Sequence, residues 1–237
     1  MLLRREVVTV IRIGLLCAIA LPLAGAAQRG TMAPRELPAN AVRALDTSLE
    51  SAAPHARHVW RDTPPVNGDG TVNAYIEIAR GDRRKWEFEM AANARAIDRV
   101  IPDSVGGYPV NYGFVPQTIS YDGDPFDALV IGPPIEGGTL VAGVAVGVMF
   151  MEDEKGLDSK VVLSRVDKAG RPVDRLTPPI ERELSDYFGR YKLHQPGAFS
   201  RVPGWGAAAE GLSLVRLTHA FFRDCRGEPG VACRLTP

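Results

Sequence analysis

The 237-residue chain has no surplus of either charge: 28 Lys and Arg stand against 28 Asp and Glu. A general nucleic-acid binder carries a basic excess, so that class is disfavoured. Cysteine is scarce, with 3 in the whole chain. No Gly-x-Ser-x-Gly elbow, Walker A loop or Rossmann fingerprint occurs, which removes three common catalytic and nucleotide-binding plans. Internal repeats and low-complexity tracts are absent. The apolar run from Ile13 to Ala27 is shorter than the roughly 20 residues a comfortable membrane span needs. What is present is ordinary for a globular chain: 45% hydrophobic and 24% charged residues. With 24 Gly and 19 Pro, many turns and a strand-rich body are expected.

Arg4, Arg5 and Arg12 precede the uncharged run from Ile13 to Ala27, which closes on Leu23-Ala24-Gly25-Ala26-Ala27. Basic residues, an apolar stretch and small residues in that order form an export signal, so residues 1–27 are expected to be removed. The chain is then exported, periplasmic or secreted, with no stable membrane span once the signal is cleaved. An uncleaved anchor and a misplaced start are the alternatives. Leu16 before Cys17 does not suit lipidation. Without residues 1–27 the net charge is −2. Cys225 and Cys233, separated by a turn-forming Arg-Gly-Glu-Pro-Gly-Val-Ala, can pair in an oxidising compartment.

Residues 28–70 read as a linker or N-terminal arm, with a short helix at Ala41 to Ala53 and breakers at Pro64-Pro65 and Asn67-Gly68-Asp69-Gly70. His55 and His58 lie there without further ligands nearby, so they read as a solvated pair. The compact domain spans 71–224, followed by a tail at 225–237. Strands are predicted at Val72 to Ile78, Trp86 to Met90, Ile97 to Ile101, Ala128 to Ile131, Thr139 to Met151 and Ser159 to Leu163. In the long strand Val144, Val146, Val148 and Phe150 share one face by alternation. Helices follow at Ile180 to Lys192 and Ala207 to Asp224, each with an apolar stripe. Strands first and helices last predict an α+β domain: a small antiparallel barrel with two C-terminal helices packed outside.

The informative segment is Tyr121-Asp122-Gly123-Asp124-Pro125-Phe126-Asp127. Asp122 and Asp124 project from one face of an extended segment. Three carboxylates so close repel unless cations sit among them, and hard divalent cations such as Mg²⁺ take oxygen ligands. A calcium EF-hand does not fit, because Phe126, Asp127 and Pro133 stand where that loop needs an acid or amide, Gly and Glu. A second acidic group, Glu152 to Asp158, flanks a turn at Gly156, so Asp153 and Asp158 fall at one end of a hairpin. Alone, such a tip is surface decoration.

The acidic segment resembles the signature of the family I soluble inorganic pyrophosphatases. The likeness extends to Tyr75-Ile76-Glu77-Ile78, to Lys85 and Glu87, to Asp98-Arg99 and to Tyr108-Pro109-Val110-Asn111-Tyr112-Gly113. It continues through Asp153, Asp158 and Lys160 to Tyr191-Lys192, covering about Val72 to Asp224. Two departures stand out. The spacing from Glu77 to Lys85 is one residue short, and Leu193 to Ala198 lacks a lysine that the family often carries there. The resemblance implies an OB-like barrel and hydrolysis of pyrophosphate to two phosphates by in-line attack of a Mg²⁺-activated water. It implies Asp124 as general base, and Asp122, Asp127, Asp153, Asp158 and Glu77 as metal ligands. Lys85, Arg99, Tyr112, Lys160, Tyr191 and Lys192 are the implied substrate-binding residues. It also implies a homo-oligomer, a hexamer in bacteria, and a cytoplasmic location for most members, against the export pattern here. The competing readings are an exported cation-binding barrel without catalysis and an oligonucleotide-binding barrel. The second lacks an aromatic and basic strand face.

Overall fold

The computed structural model describes residues 36–225 and 233–234. The expected export signal at 1–27 lies outside the described residues. Ahead of the main body come β1 (Glu36–Leu37), α1 (Ala39–Ala52) and the single turn α2 (Val59–Asp62). The body contains β2 (Val72–Ile78), β3 (Arg84–Glu89), β4 (Ala94–Val100), β5 (Asn111–Phe114), β6 (Asp127–Ile131), β7 (Leu140–Asp153), β8 (Gly156–Leu157) and β9 (Lys160–Arg165). Then follow α3 (Pro178–Phe188), β10 (Ser200–Gly206), α4 (Ala208–Asp224) and β11 (Cys233–Arg234).

Seven strands form one sheet. Along it, β7 pairs with β2, β2 with β5, β5 with β6 and β6 with β9, and β9 returns to β7. Five strands therefore close into a ring, so none of the five is a free edge, while β10 and β8 each pair with β7 alone. The fold is α+β as expected, with α4 against β7 and β9 and α3 against β10. One joint departs from the expected antiparallel pattern: β6 and β9 run parallel. β3 and β4 form a separate two-stranded ribbon.

Every residue of β2 is buried, so its run reads as continuous rather than alternating. The alternation expected along β7 breaks at a register shift between Ala145 and Gly147. A bulge there puts Val146 in the cluster with Met149 and Met151, out of phase with Val148.

The Tyr108 to Gly113 motif has a local explanation. Asn111 is fully buried and uses its whole amide: Oδ1 accepts from the Arg80 and Ile135 N–H groups, and Nδ2 donates to the Val130 and Pro133 carbonyls. A methyl group at Gly113 would lie 1.8 Å from the Tyr75 carbonyl oxygen, so only glycine lets β5 approach β2. Tyr112 is fixed between these two anchors.

The segment read as a linker is a packed arm. Leu37, Ala41, Val42, Leu45 and Trp60 are fully buried against Tyr75, Phe114, Tyr121, Phe221 and Phe222. His58 is not solvated: it is 1% exposed, donating from Nε2 to the Met90 carbonyl and accepting at Nδ1 from the Arg61 N–H. Burial holds it below the usual imidazole pKa. At the far end β1 pairs with β11, setting Leu37 opposite Cys233. Cys225 is disulfide-bonded; the side chain of Cys233 lies outside the described residues.

Candidate active site

A cavity of about 420 Å³ opens between the ring and the β3–β4 ribbon. It brings together Glu77, Lys85, Arg99, Tyr112, Asp122, Asp124, Asp127, Asp153, Asp158, Tyr191 and Lys192. Lys160 is the one site residue named from the sequence that does not line it. The parallel register setting Ala128 beside Val161 also sets Asp127 beside Lys160. There the fully buried ammonium donates to Asp127 at 2.5 Å and to Asp158 at 2.7 Å, beneath the cavity floor. Tyr112 donates its hydroxyl to the same Asp127 carboxylate at 2.6 Å.

The acids come from turns at the mouths of strands. The Asp122 to Asp124 turn is closed by Ser120 N–H on the Asp124 carbonyl and by Gly123 N–H on the Ser120 carbonyl. Asp153 ends β7, and its pairing with Gly156 in β8 makes the hairpin tip that brings Asp158 back. Lys192, just beyond α3, donates to Asp153 at 2.5 Å and to Glu154 at 3.0 Å. Lys155 reaches Asp124 at 3.3 Å.

Across the cavity the ribbon supplies two cations, each paired with a ribbon carboxylate. Lys85 and Arg99 face one another in register on β3 and β4. Lys85 pairs with Glu87 and, at 3.5 Å, with Asp98, which also holds Arg99. The Arg99 Nε and the Gln195 Nε2 are buried with no hydrogen-bond partner in the protein, and both side chains line the cavity. Glu77 joins the two walls: its Oε1 accepts from the Phe88 N–H at 2.7 Å, while Arg95 donates to its carbonyl.

Nine lining side chains are acidic and four are basic. The imbalance shows in the proton affinities. Burial, then the carboxylates of Asp124, Asp158 and Asp127, pushes Asp122 up to about 8. Asp158 rises to about 7 through burial, with Asp127 adding to the rise and Lys160 opposing it. Glu77 is raised by burial and by the Asp127 charge. Tyr112 is raised by the same two causes, so its hydroxyl stays protonated and donates. Burial would lower Lys160, but Asp127 and Asp158 outweigh it and keep the ammonium charged.

Among the described residues, no three acidic, histidine or cysteine side chains form a ready-made set of metal ligands. The physical reason is visible: Lys160, Lys192 and Lys155 draw the oxygens of Asp127, Asp158, Asp153 and Asp124 onto themselves. The carboxylates expected to form one cage line one cavity without closing around a point. The donor set nonetheless fits a hard divalent cation. It offers oxygen alone, and it holds more negative charge than its lysines neutralise.

The sequence did not single out Lys155, Glu154 or Gln195 for the site. Lys155 and Glu154 were visible in the second acidic group. Gln195 had no signal beyond its position shortly after Tyr191-Lys192.

A strand ring with a carboxylate cluster at its mouth, faced by a ribbon that carries Lys85 and Arg99 beside Glu87 and Asp98, is the framework of an oxygen-ligand cation site. The family model for inorganic pyrophosphatase matches residues 74–223. The inorganic pyrophosphatase of Aeropyrum pernix is 38% identical over 160 residues, covering 65% of this chain and 90% of the relative. That of Sulfolobus acidocaldarius is 32% identical over 162 residues, covering 65% and 93%. Among solved structures, the Coxiella burnetii inorganic pyrophosphatase superposes with a TM-score of 0.63 at 33% identity, covering 68% of this chain and 99% of that one. The Thermus thermophilus enzyme gives 0.63 at 31% identity, covering 70% and 99%. The chain belongs to the inorganic pyrophosphatase family.

Proposed function

We propose that the chain hydrolyses inorganic pyrophosphate to two phosphates, with Asp124 taking the proton of the attacking water. The observation that carries this reading is the gathering of Asp122, Asp124, Asp127, Asp153, Asp158, Glu77, Lys85, Arg99, Tyr112, Tyr191 and Lys192 around one cavity in a chain of this family. Pyrophosphate is small and densely anionic, so the obstacle is bringing a nucleophile to charged phosphorus. Asp122, Asp127, Asp153, Asp158 and Glu77 would hold Mg²⁺, which would supply charge neutralisation and acidify water. Asp124 is the most open of the turn's carboxylates, with its side chain 66% exposed, which suits a group that exchanges protons with solvent. Lys85 and Arg99 on the ribbon, with Tyr191 and Lys192 just beyond α3, hold the two phosphates. The unpartnered Arg99 Nε is a donor ready for a phosphate oxygen. Lys160 acts from below, holding Asp127 and Asp158 in place without reaching the substrate.

The test is phosphate release from pyrophosphate with Mg²⁺, abolished by EDTA. Cation binding without phosphate release would favour the non-catalytic barrel instead.

Export rests on the Arg4 to Ala27 pattern, and the disulfide at Cys225 supports an oxidising compartment. N-terminal sequencing of the secreted form tests it. Assembly into a homo-oligomer, a hexamer by resemblance, is checked by light scattering.

A further inference from the structure

Residues 36–73 precede the segment shared with the family, yet this arm touches both lips of the cleft. On one side, α1 lies directly on the Asp122 to Asp124 turn. Gly123 has φ +96°, and a Cβ there would come 2.6 Å from the Ala44 Cβ and 3.4 Å from the Ala41 Cα. Trp60 Nε1 donates to the Thr118 carbonyl at 3.0 Å, and the Thr118 hydroxyl accepts from the Phe126 N–H at 2.9 Å. The arm therefore backs the turn at its tip and is bonded to the residue that ties its base. On the other side, His58 donates to the Met90 carbonyl at 2.9 Å and packs edge-on against Phe88, and both Phe88 and Met90 line the cavity.

A glycine-containing turn is free to change shape. Within the turn two backbone hydrogen bonds and the 3.1 Å bond from the Asp124 N–H to the Asp122 carboxylate oppose this; α1 blocks the outward path sterically. We propose that the arm is a strut, and that Ala44 is a positioning residue: by bearing on Gly123 it keeps the turn in place, with Asp122 on the cavity wall where a divalent cation would bind. Holding this ligand's backbone beforehand removes an ordering cost from cation binding. The proposal builds on the functional reading above, but its main test needs no substrate.

The experiment uses the full chain carrying Ala44→Leu, which drives a branched side chain into Gly123. Mg²⁺ affinity measured calorimetrically without substrate is expected to weaken about tenfold, equivalent to about 1.4 kcal/mol. Amide exchange at Gly123 and Asp124 in the metal-free protein is expected to quicken. With saturating Mg²⁺ the turnover number returns to near the parent value, which general misfolding would not allow. Arg43→Ala, an exposed change on the same helix, leaves all three unchanged. Should Ala44→Leu not fold, Ala44→Gly withdraws the contact and is expected to loosen the turn likewise. A folded Ala44 variant with parental Mg²⁺ affinity and exchange overturns the strut while leaving pyrophosphate hydrolysis standing. A parent protein that releases no phosphate, but whose Ala44 variants lose Mg²⁺ affinity, overturns the functional reading and keeps the strut.

Discussion

Lys160 and Asp158 form a 2.7 Å ion pair beneath the cleft floor, at a lysine with no exposed surface. Breaking a buried pair by removing one partner leaves an uncompensated charge, which costs about 3–5 kcal/mol. Lys160→Met should therefore lower stability by about that amount in urea unfolding with EDTA at pH 8. The loss should shrink at pH 6, where Asp158 takes up a proton. Added Mg²⁺ should restore more stability to the variant than it adds to the parent. Equal unfolding midpoints for variant and parent in EDTA would show that the lysine carries no such burden.

The raised acids set a pH dependence for the metal-free protein. Asp122 and Asp158 hold protons in the fold up to about 8 and about 7, but release them near 4 when unfolded. Their contribution is complete below the unfolded pKa and is lost as pH rises through the two folded values. In EDTA the melting temperature should fall by about 5 °C or more between pH 6 and pH 9. Saturating Mg²⁺ should remove most of that fall. A melting temperature that climbs over this range in EDTA would contradict the assignment.

Asp124→Asn keeps the shape of the turn but removes the proton acceptor. The turnover number should drop by about 100-fold or more, the usual scale for a general base, while KM for pyrophosphate stays close to the parent value. Full-rate hydrolysis by the variant would take Asp124 out of the proton-transfer role.

Gly113→Ala tests how the strand ring positions Tyr112. The added methyl would meet a backbone oxygen 1.8 Å away, which no side-chain rearrangement can relieve. β5 must withdraw from β2, at a cost of roughly 3 kcal/mol for a well-packed interior. Tyr112 would move with it, weakening its 2.6 Å hydrogen bond to Asp127. Chemical denaturation and phosphate release should both register the change; unaltered unfolding would mean the ring tolerates the wider spacing.

The sequence displayed the chemistry of the cleft more completely than its geometry. The 121–127 segment, the acidic hairpin and the Tyr-Lys pair were legible because each is a short run of unusual composition. The long β7 and both C-terminal helices were legible from their periodicity. β5 was not, since Asn-Tyr-Gly-Phe has neither length nor alternation. β10 was hidden by Pro203 and two glycines; it pairs with β7 alone and accommodates them at a register shift between Arg201 and Gly204. The arm read as a linker because Pro64-Pro65 and Asn67 to Gly70 punctuate it, although Trp60 just before them is wholly buried. That Lys160 supports the carboxylates from beneath follows from a parallel pairing between strands about 30 residues apart, a relation that no local pattern encodes.

The ribbon of β3 and β4 shares no ladder hydrogen bond with the larger sheet. Lys85 and Arg99 ride on the ribbon, whereas the five aspartates stand on the ring and its turns. Cutting one anhydride link yields two mutually repelling anions that must leave before the next molecule enters. The two walls they pass between meet through side-chain ties, Phe88 N–H on the Glu77 carboxylate, Arg95 on the Glu77 carbonyl and His58 on the Met90 carbonyl, and not through a shared ladder. The cationic groups and the acids are thus carried by separately paired sheets, so a substitution in one wall leaves the strand register of the other untouched.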